Sequence, residues 1–389
     1  MDPILATVGI IAAVIGIGAG IIQILDYVER KQKQNRDKGQ PSTSTPYLDS
    51  ATKPSRFDGR IHIGQEIQTT ATEFSSNRTK IWMEAAGIDS LAVDDSVMIV
   101  GSEKFKGWGI SEINVVIEKE PVTIPTDLLN VVQEYHEKLM ITMHDSANFR
   151  VISLTPPFID RPSIQVSLAP VSFRSHFTIS SLLDKPVLKA QSSQLITIRE
   201  RYGANALNYS TFNHPFIPAN VSIQIAIISS DNKLLLMQRS NHVAYYPNAW
   251  TVSIEETMND EDKNFVDGAL RGIREELGPD LSVAHEDIRV LSFCVEYPTL
   301  SFDVICLAYI HNSIDEIRHS WRFTAPDKHE LNQSQAISIS LQDLSSLYLE
   351  TKRQWHPSAR MRILQVLFNI YGVTKTLSAI EEVRVHQSN

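Results

Sequence analysis

The segment ALRGIREELGP, residues 269–279, carries the charged residues best suited to chemistry in this chain. Apolar residues recur in it at helical spacing, namely Leu270, Ile273 and Leu277. This spacing predicts the end of a helix with one apolar face, which Gly278 and Pro279 terminate. Glu275 and Glu276 then lie next to a loop, where two adjacent carboxylates can bind a hard cation such as Mg²⁺, and the cation can hold a diphosphate.

A simpler interpretation of the same segment is an ordinary surface ion pair. Arg271 and Glu275 are four residues apart, so a helix brings their side chains together on its surface. Such pairs contribute only a few tenths of a kcal/mol and are common in helices. The segment alone does not separate this alternative from a cation site, so the surrounding elements must decide.

The elements upstream of this helix follow a recognisable order. An alternating apolar run over residues 221–230 predicts a strand, and Asp231 and Asn232 predict a turn. A second strand is predicted over residues 233–240, ending near Gln238 and Arg239, and the sequence YPNAW follows it before the helix. The carboxylates are therefore expected to lie beside a two-stranded unit.

This order of elements resembles the Nudix domain, in which a strand ending in Gln-Arg precedes a Pro-x-x-Trp segment, a glycine-rich loop and a helix with the pattern REUxEExGU, where U is apolar. The positions that match are Gln238, Arg239, Pro247, Trp250, Arg271, Ile273, Glu275, Glu276 and Gly278. The resemblance implies an α/β class, with a C-terminal Nudix α/β/α sandwich. It also implies Mg²⁺ as a cofactor, with Glu275 and Glu276 as metal ligands and catalytic residues if the domain is active.

The chain departs from the Nudix pattern at three signature positions. Gly272 stands where the family has its first metal-binding glutamate, Pro279 replaces an apolar residue, and Ser253 with Ile254 replaces the usual Gly-Gly. The segment between Ile254 and the helix is also longer than the family's, by about three residues on the spacing of these motifs. A lost ligand weakens metal catalysis without preventing diphosphate binding, so a degenerate Nudix helix is expected to belong to a receptor rather than to a hydrolase.

Further residues are candidates for ligand contacts under this resemblance. Glu330 precedes a predicted last strand, where Nudix proteins often place an acidic residue that assists the metal or the water; a solvated loop carboxylate is the alternative. Candidate phosphate partners and candidate stacking residues for a base are Arg239, Arg271, Arg274, Tyr245, Tyr246 and Trp250. Trp250 is also interpretable as a core residue, and Arg271 as an ion-pair partner.

Composition limits the classes of function. The chain of 389 residues is long enough for one to three domains, and its net charge of −9 argues against bulk DNA or RNA binding. The two cysteines, Cys294 and Cys306, lie in strand-like runs without metal spacing. They are predicted to be inert core residues of a protein from a reducing compartment.

An apolar run over residues 4–25 predicts a single transmembrane helix at the N-terminus. Basic residues follow the run rather than precede it, so the positive-inside rule predicts the body in the cytoplasm and the N-terminus outside. Ala12, Gly16 and Gly20 share one face, which predicts close helix packing in lipid; frequent glycine in membrane helices is the alternative.

The remaining composition suggests a division of the chain into segments. The expected parts are a transmembrane helix with its basic flank, 1–36, a flexible linker, 37–56, a mixed α+β middle region of unknown role, 57–219, the Nudix-like domain, 220–373, and a C-terminal tail, 374–389. Histidines and glutamates in a predicted helix of the middle region lack the spacing of a metal site.

An N-terminal span, a Ser/Thr/Pro-rich linker and a Nudix domain with a degenerate signature together resemble the membrane-anchored Nudix effectors of bacterial cyclic-oligonucleotide anti-phage defence. The resemblance implies a single-pass protein of the bacterial inner membrane that senses a cyclic nucleotide, forms a ligand-dependent homo-oligomer and disrupts the lipid. One alternative is a membrane-tethered, Mg²⁺-dependent hydrolase of a nucleoside diphosphate derivative. Another is an interaction module without enzymatic activity.

Overall fold

The structure is a computed structural model that describes residues 91–121, 123–139, 147–157, 163–190, 194–203 and 220–388. Its strands are β1 Ala92–Val93, β2 Ser96–Gly101, β3 Ile113–Ile117, β4 Ala147–Thr155, β5 Ile164–Ser172, β6 Pro186–Lys189, β7 Leu195–Thr197, β8 Val221–Ser229, β9 Lys233–Arg239, β10 Trp250–Thr251, β11 Ile254–Thr257, β12 Ile288–Glu296, β13 Phe302–Ile310 and β14 Leu331–Ser338. Its α-helices are α1 Thr126–Leu139, α2 Phe173–Leu182, α3 Ile198–Tyr202, α4 Phe265–Gly272, α5 Ile314–Phe323, α6 Leu341–Leu349, α7 Ala359–Tyr371 and α8 Val373–Ser388.

A mixed sheet forms the centre of the fold. Its main path runs β1-β2-β12-β13-β8-β9-β10, while β11 pairs with β8 and β14 pairs with β9. The β13 and β8 pair is parallel and in continuous register from Phe302 opposite Val221 to Ile310 opposite Ser229. Because β8 and β13 are central and lie between two layers, both are buried along almost their whole length.

Helices cover both faces of this sheet. Alternate residues of β8 belong to different cores, with Ile223 and Ile225 on one face and Ala226 and Ile228 on the other. The first core contains the apolar faces of α4 and α5, and the second contains those of α6, α7 and α8. The described C-terminal region is therefore a three-layer α/β/α arrangement.

Strands from the middle of the sequence take part in the same sheet. β2 pairs with β12, and β1 extends the sheet from the edge of β2. A second sheet has the order β3-β5-β4, and α2 follows β5 directly. Ser180 of α2 is hydrogen-bonded to the Tyr245 hydroxyl at 2.8 Å, so this helix lies against the loop after β9.

Local interactions fix the start and the end of the helix that carries the charged segment. The Asn264 side chain accepts hydrogen bonds from the amides of Val266 and Asp267, which caps α4. The helix continues as a wide π-type turn over Ile273–Leu277 and ends at Gly278, whose φ is 125°. A side chain at Gly278 would meet the Ser320 hydroxyl at 1.9 Å, so only glycine fits this end.

The prediction of an N-terminal transmembrane helix is contradicted. Within the described ranges, no helix combines the length and the apolar character that crossing a bilayer requires. Even the 16-residue helix α8 carries charged residues such as Glu381 and Arg384. The corrected fold class is mixed α/β, and the predicted single-pass inner-membrane location is withdrawn. The predicted span itself, with Ala12, Gly16 and Gly20, lies outside the described residues.

Candidate functional site

A cavity of about 1040 Å³ opens beside the π-type turn and extends toward the ends of β12 and β13. Eight acidic side chains line it, namely Glu255, Glu256, Glu275, Glu276, Glu296, Asp303, Asp327 and Glu330. Among the described residues that line the cavity, Arg239 is the one arginine or lysine. An isolated anion would therefore meet a wall of carboxyl groups, and this charge balance constrains what the cavity can bind.

Glu255 is the centre of a buried ion-pair network on this wall. Its Oε2 accepts a hydrogen bond from Arg239 at 2.5 Å, and its Oε1 accepts one from Arg362 at 2.6 Å. The Thr251 hydroxyl donates to the same Oε1 at 2.6 Å. Arg362 is fully buried and also donates to the Val252 carbonyl at 2.8 Å. The network joins β9, β11 and α7, so it fixes their relative positions under the cavity.

The neighbours of Glu255 keep it ionised. Burial alone would raise the pKa of Glu255, but His356, Arg239 and Arg362 hold that pKa well below its ordinary value. Burial lowers the pKa of His356 to about 3, so this histidine is neutral at neutral pH and the two arginines carry the effect. The Ser358 amide donates to His356 Nδ1, which leaves Nε2 as the donor toward Glu255 at 3.2 Å.

Glu256, the next residue of β11, occupies the space beside the glycine of the degenerate signature. A Cβ atom on Gly272 would lie 2.8 Å from the Glu256 Cβ and 3.0 Å from its Cγ. The side chain at 256 therefore fills the volume that a larger residue at 272 would need. Burial raises the pKa of Glu256 to about 7, while Arg271 lowers it.

Arg271 forms ion pairs with acidic residues of its own domain. Its side chain contacts Asp262 at 2.8 Å, Glu275 at 2.9 Å and Glu256 at 3.2 Å, and it donates to the Thr257 carbonyl at 2.8 Å. The guanidinium N–H groups of Arg271 therefore donate to residues of this chain. The i,i+4 pair between Arg271 and Glu275, one of the two interpretations of the sequence, is present in the structure.

Glu276 is the acidic residue of the turn that has no ion-pair partner among the described residues. Its side chain is buried, and its Oε1 has no hydrogen-bond partner in the part of the chain that the structure describes. Burial raises the pKa of Glu276 well above its ordinary value, and the negative charge of Glu330 raises it further. Burial also raises the pKa of Glu330. Glu276 and Glu330 thus both line the cavity with raised pKa values, and the positive charge of Arg239 offsets only part of each increase.

Aromatic side chains from the loop after β9 lie at the cavity. The Tyr246 hydroxyl donates to Glu296 Oε1 at 2.5 Å, and its ring packs edge-on to His356 with centroids 4.6 Å apart. Tyr245 packs against Phe177 of α2, with centroids 5.6 Å apart. Both tyrosines line the cavity, so the loop forms a partly aromatic wall.

The structure brings together six of the residues that the sequence proposed for ligand or metal contacts. Those lining the cavity are Arg239, Tyr245, Tyr246, Glu275, Glu276 and Glu330, and those outside its lining are Trp250, Arg271 and Arg274. The Trp250 ring is covered by the Arg353 guanidinium at 4.9 Å, and Arg274 is exposed. Glu255, Glu256, His356 and Asp303 were not identified from sequence. The one local sequence feature that indicates any of these four residues is the pair of adjacent glutamates, Glu255 and Glu256, in β11.

The cavity offers one pair of carboxylates rather than a complete metal cage. Across the described residues, no three or more histidine, cysteine, aspartate or glutamate side chains are arranged to hold a metal ion. Mg²⁺ differs from other metals in this respect, because it usually keeps several waters and binds through one or two carboxylates together with the phosphates of a ligand. The uncompensated oxygen of Glu276, beside Glu330, fits that mode of binding.

Comparisons with known proteins give structural neighbours only. No family model matches the chain, and no curated protein matches it. DR0079 from Deinococcus radiodurans is 16% identical over 37% of this chain and 81% of its own, with a TM-score of 0.27. Tm1382, provisionally assigned as a Nudix hydrolase, is 16% identical over 37% and 70%, with a TM-score of 0.26. The MutT protein from Methanosarcina mazei Go1 is 16% identical over 37% and 91%, with a TM-score of 0.23. Similarity at this level carries no functional inference.

Proposed function

We propose that the Nudix-like region, residues 220–373, is a receptor that binds a nucleotide-like phosphorylated ligand together with a divalent cation. The observation that carries this proposal is the buried carboxylate of Glu276, whose Oε1 has no partner among the described residues, in a cavity lined by eight acidic side chains. A phosphate cannot approach this wall alone, because like charges repel strongly in a partly buried site. A cation held by Glu276 and Glu330 would reverse the local charge and supply the attraction.

The size and the lining of the cavity favour a nucleotide as the ligand. Binding pockets for small molecules commonly have volumes of about 300 to 1,000 Å³, and this cavity lies at the upper end. Tyr245 and Tyr246 offer ring faces against which a base can stack, and Arg239 offers the one guanidinium in the lining. A cyclic oligonucleotide that signals in anti-phage defence, as the sequence resemblance implies, is the specific ligand class that we favour.

Binding is favoured over turnover because the signature glutamates are depleted. Gly272 supplies no side chain, and Arg271 neutralises both Glu256 and Glu275. No carboxylate then stands at position 272 to share a cation with Glu276, while the interactions that hold a ligand are retained. A nucleoside diphosphate hydrolase is the alternative function, and Glu256 beside Gly272 is the observation that favours it.

The first prediction tests the cation. Calorimetric titration of the full chain with cyclic dinucleotides and nucleoside diphosphates is expected to show binding in Mg²⁺ and little binding in EDTA. Glu276→Gln is expected to weaken Mg²⁺-dependent binding by roughly tenfold to a hundredfold, or about 1.4–2.7 kcal/mol, because a neutral amide is a weaker ligand for Mg²⁺ than a carboxylate. Glu286→Gln, a change at an exposed glutamate outside the cavity, is the matched control and is expected to leave the affinity unchanged.

The same samples separate the receptor from the hydrolase. Incubation of the bound nucleotides with Mg²⁺, followed by chromatography, is expected to return them intact. Rapid hydrolysis that Glu275→Gln and Glu276→Gln abolish would establish the enzyme instead. If affinity is the same in Mg²⁺ and in EDTA, the cation has no role in binding and the proposal fails.

A further inference from the structure

The cavity contains a second group of polar side chains, which the proposed cation site does not use. Glu296 ends β12, Asp303 is the second residue of β13, and Thr299 and Ser301 lie in the connection between these strands. All four line the cavity and are buried. We call this group the acceptor recess, because its side-chain polar atoms belong to two carboxyl groups and two hydroxyl groups.

Asp303 is the unexplained member of the acceptor recess. Its side chain is fully buried, and neither carboxyl oxygen has a hydrogen-bond partner in the described part of the chain. The Ser301 hydroxyl makes no hydrogen bond of normal geometry to the described residues, although it lowers the pKa of Asp303. A buried polar group without a partner costs about 1–3 kcal/mol, so it needs an explanation, for example an ordered water, an ion or a group of a bound ligand.

Glu296 has spare accepting capacity next to Asp303. Its Oε1 accepts from the Tyr246 hydroxyl at 2.5 Å and from the Thr299 hydroxyl at 2.8 Å. Its Oε2 lies 3.8 Å from His356 Nε2, which is beyond hydrogen-bond distance. Burial raises the pKa of Glu296 to about 7, and burial together with the charge of Glu296 raises the pKa of Asp303 well above its ordinary value. A ligand that donates to both oxygens of Asp303 would favour its ionised form and so lower that pKa.

The nearest buried cation does not satisfy this pair. Arg362 lies close enough to lower the pKa of Asp303, but its hydrogen bonds go to Glu255, to Thr251 and to main-chain carbonyls. His356 is neutral and directs its Nε2 toward Glu255. Among the described residues, the Ser301 hydroxyl lies near enough to Asp303 to lower its pKa, but no donor makes a hydrogen bond of normal geometry to either Asp303 oxygen. A ligand with N–H donors would complete the pair.

We propose that the acceptor recess recognises a planar group with two adjacent N–H donors, which among the nucleobases is the N1–H and 2-amino edge of guanine. A carboxylate presents two oxygens side by side and accepts such an edge in a bidentate manner. Adenine and cytosine offer an amino group beside a ring acceptor, and hypoxanthine lacks the 2-amino group. This inference rests on the proposed nucleotide-binding function, and it adds the identity of the base.

The test compares three diphosphates on the full chain in Mg²⁺, measured by calorimetry. Guanosine diphosphate is expected to bind at least tenfold more tightly than inosine diphosphate, which differs only by the 2-amino group, and more tightly than adenosine diphosphate. Asp303→Asn replaces one acceptor by a donor and is expected to abolish the guanosine preference, while inosine diphosphate keeps its affinity within a few-fold. Asp280→Asn, at an exposed aspartate outside the cavity, is the matched control.

The outcomes distinguish this inference from the function on which it rests. Equal affinity for the three diphosphates overturns base recognition by the recess and leaves cation-dependent nucleotide binding intact. Absence of binding by all three diphosphates and by cyclic dinucleotides overturns both. The comparison of guanosine with inosine diphosphate uses the unmodified protein. It therefore tests recognition of the guanine base even if Asp303→Asn does not fold.

Discussion

Glu255→Ala is expected to lower the free energy of unfolding by about 3–5 kcal/mol, the range measured when one partner of a buried ion pair is removed. The reason is Arg362, whose guanidinium is fully buried and pairs with Glu255 at 2.6 Å. Without the carboxylate, a buried positive charge keeps only the Thr251 and Ser358 hydroxyls and main-chain carbonyls as partners. Urea denaturation followed by circular dichroism measures the loss.

The adjacent residue provides the matched control. Glu256→Gln changes the same type of side chain on the same strand, but the pKa of Glu256 is raised to about 7 whereas that of Glu255 is lowered. A carboxyl whose folded-state pKa is raised binds its proton more tightly in the folded state. Stability therefore falls as pH increases from about 4.5 through about 7, by up to about 3 kcal/mol, at ~1.36 kcal/mol per pKa unit.

The two variants are thus expected to respond to pH in different ways. Glu256→Gln removes the part of the decrease in stability between pH 4.5 and 7 that Glu256 contributes, while buried groups such as Glu296 keep their part. The wild-type contribution of Glu255 is present at pH above its unfolded-state pKa and is lost only as pH falls toward its depressed folded-state value. The deficit of Glu255→Ala is therefore expected to be constant across neutral pH. Equal stability losses in the two variants would contradict the assignment of Glu255 as the central residue of the network.

Local sequence patterns predicted the central elements of the fold well. The predicted strands over 221–230 and 233–240 correspond to β8 Val221–Ser229 and β9 Lys233–Arg239, since apolar residues at strand spacing specify burial locally. The apolar stripe of the charged helix is confirmed, because Leu270, Ile273 and Leu277 are buried. Both cysteines are confirmed as free and buried.

The contents of the cavity were not predictable in the same way, because they depend on contacts between distant parts of the chain. Glu255 and Arg362 are 107 residues apart, and nothing in the sequence around either one identifies the other. Asp303 lies in an otherwise apolar strand, where its burial follows only from the pairing of β13 with β8 and β12. Pairing over such separations is set by tertiary structure rather than by local pattern.

Two other features were misjudged or missed for related reasons. The transmembrane prediction rested on hydropathy alone, and no described helix supports it. Residues 374–389 were described from the sequence only as a C-terminal tail, and most of them belong to α8 Val373–Ser388. Ile380 of that helix is buried against the second core, while most of its other residues are polar. A helix held by a narrow apolar contact gives a weak sequence signal.

Gly272→Glu, which places a carboxylate where the Nudix pattern has its first metal-binding glutamate, is expected to destabilise the protein rather than to activate it. The new Cβ would lie 2.8 Å from the Glu256 Cβ, so α4 or β11 must shift. Overpacking of this kind typically costs about 1–3 kcal/mol, and the added carboxylate increases repulsion beside Glu256 and Glu275. Gly272→Ala introduces the same steric conflict without the charge, so thermal melts of the two variants separate the steric part from the electrostatic part.

The decisive variant moves the carboxylate from the strand to the helix. Glu256→Gly removes the conflicting Cβ, so the double variant Gly272→Glu with Glu256→Gly is expected to recover most of the stability that Gly272→Glu loses. A double-mutant cycle should give a favourable coupling energy of about 0.5–3 kcal/mol, as for residues in direct contact. In Mg²⁺ the double variant is also expected to hydrolyse nucleoside diphosphate compounds faster than the unmodified chain, since a carboxylate at 272 would share the cation of Glu276. Additive stability losses in the cycle would mean that Glu256 does not occupy the space left by Gly272. A recovered fold without faster turnover would mean that the missing helix carboxylate is not what limits hydrolysis.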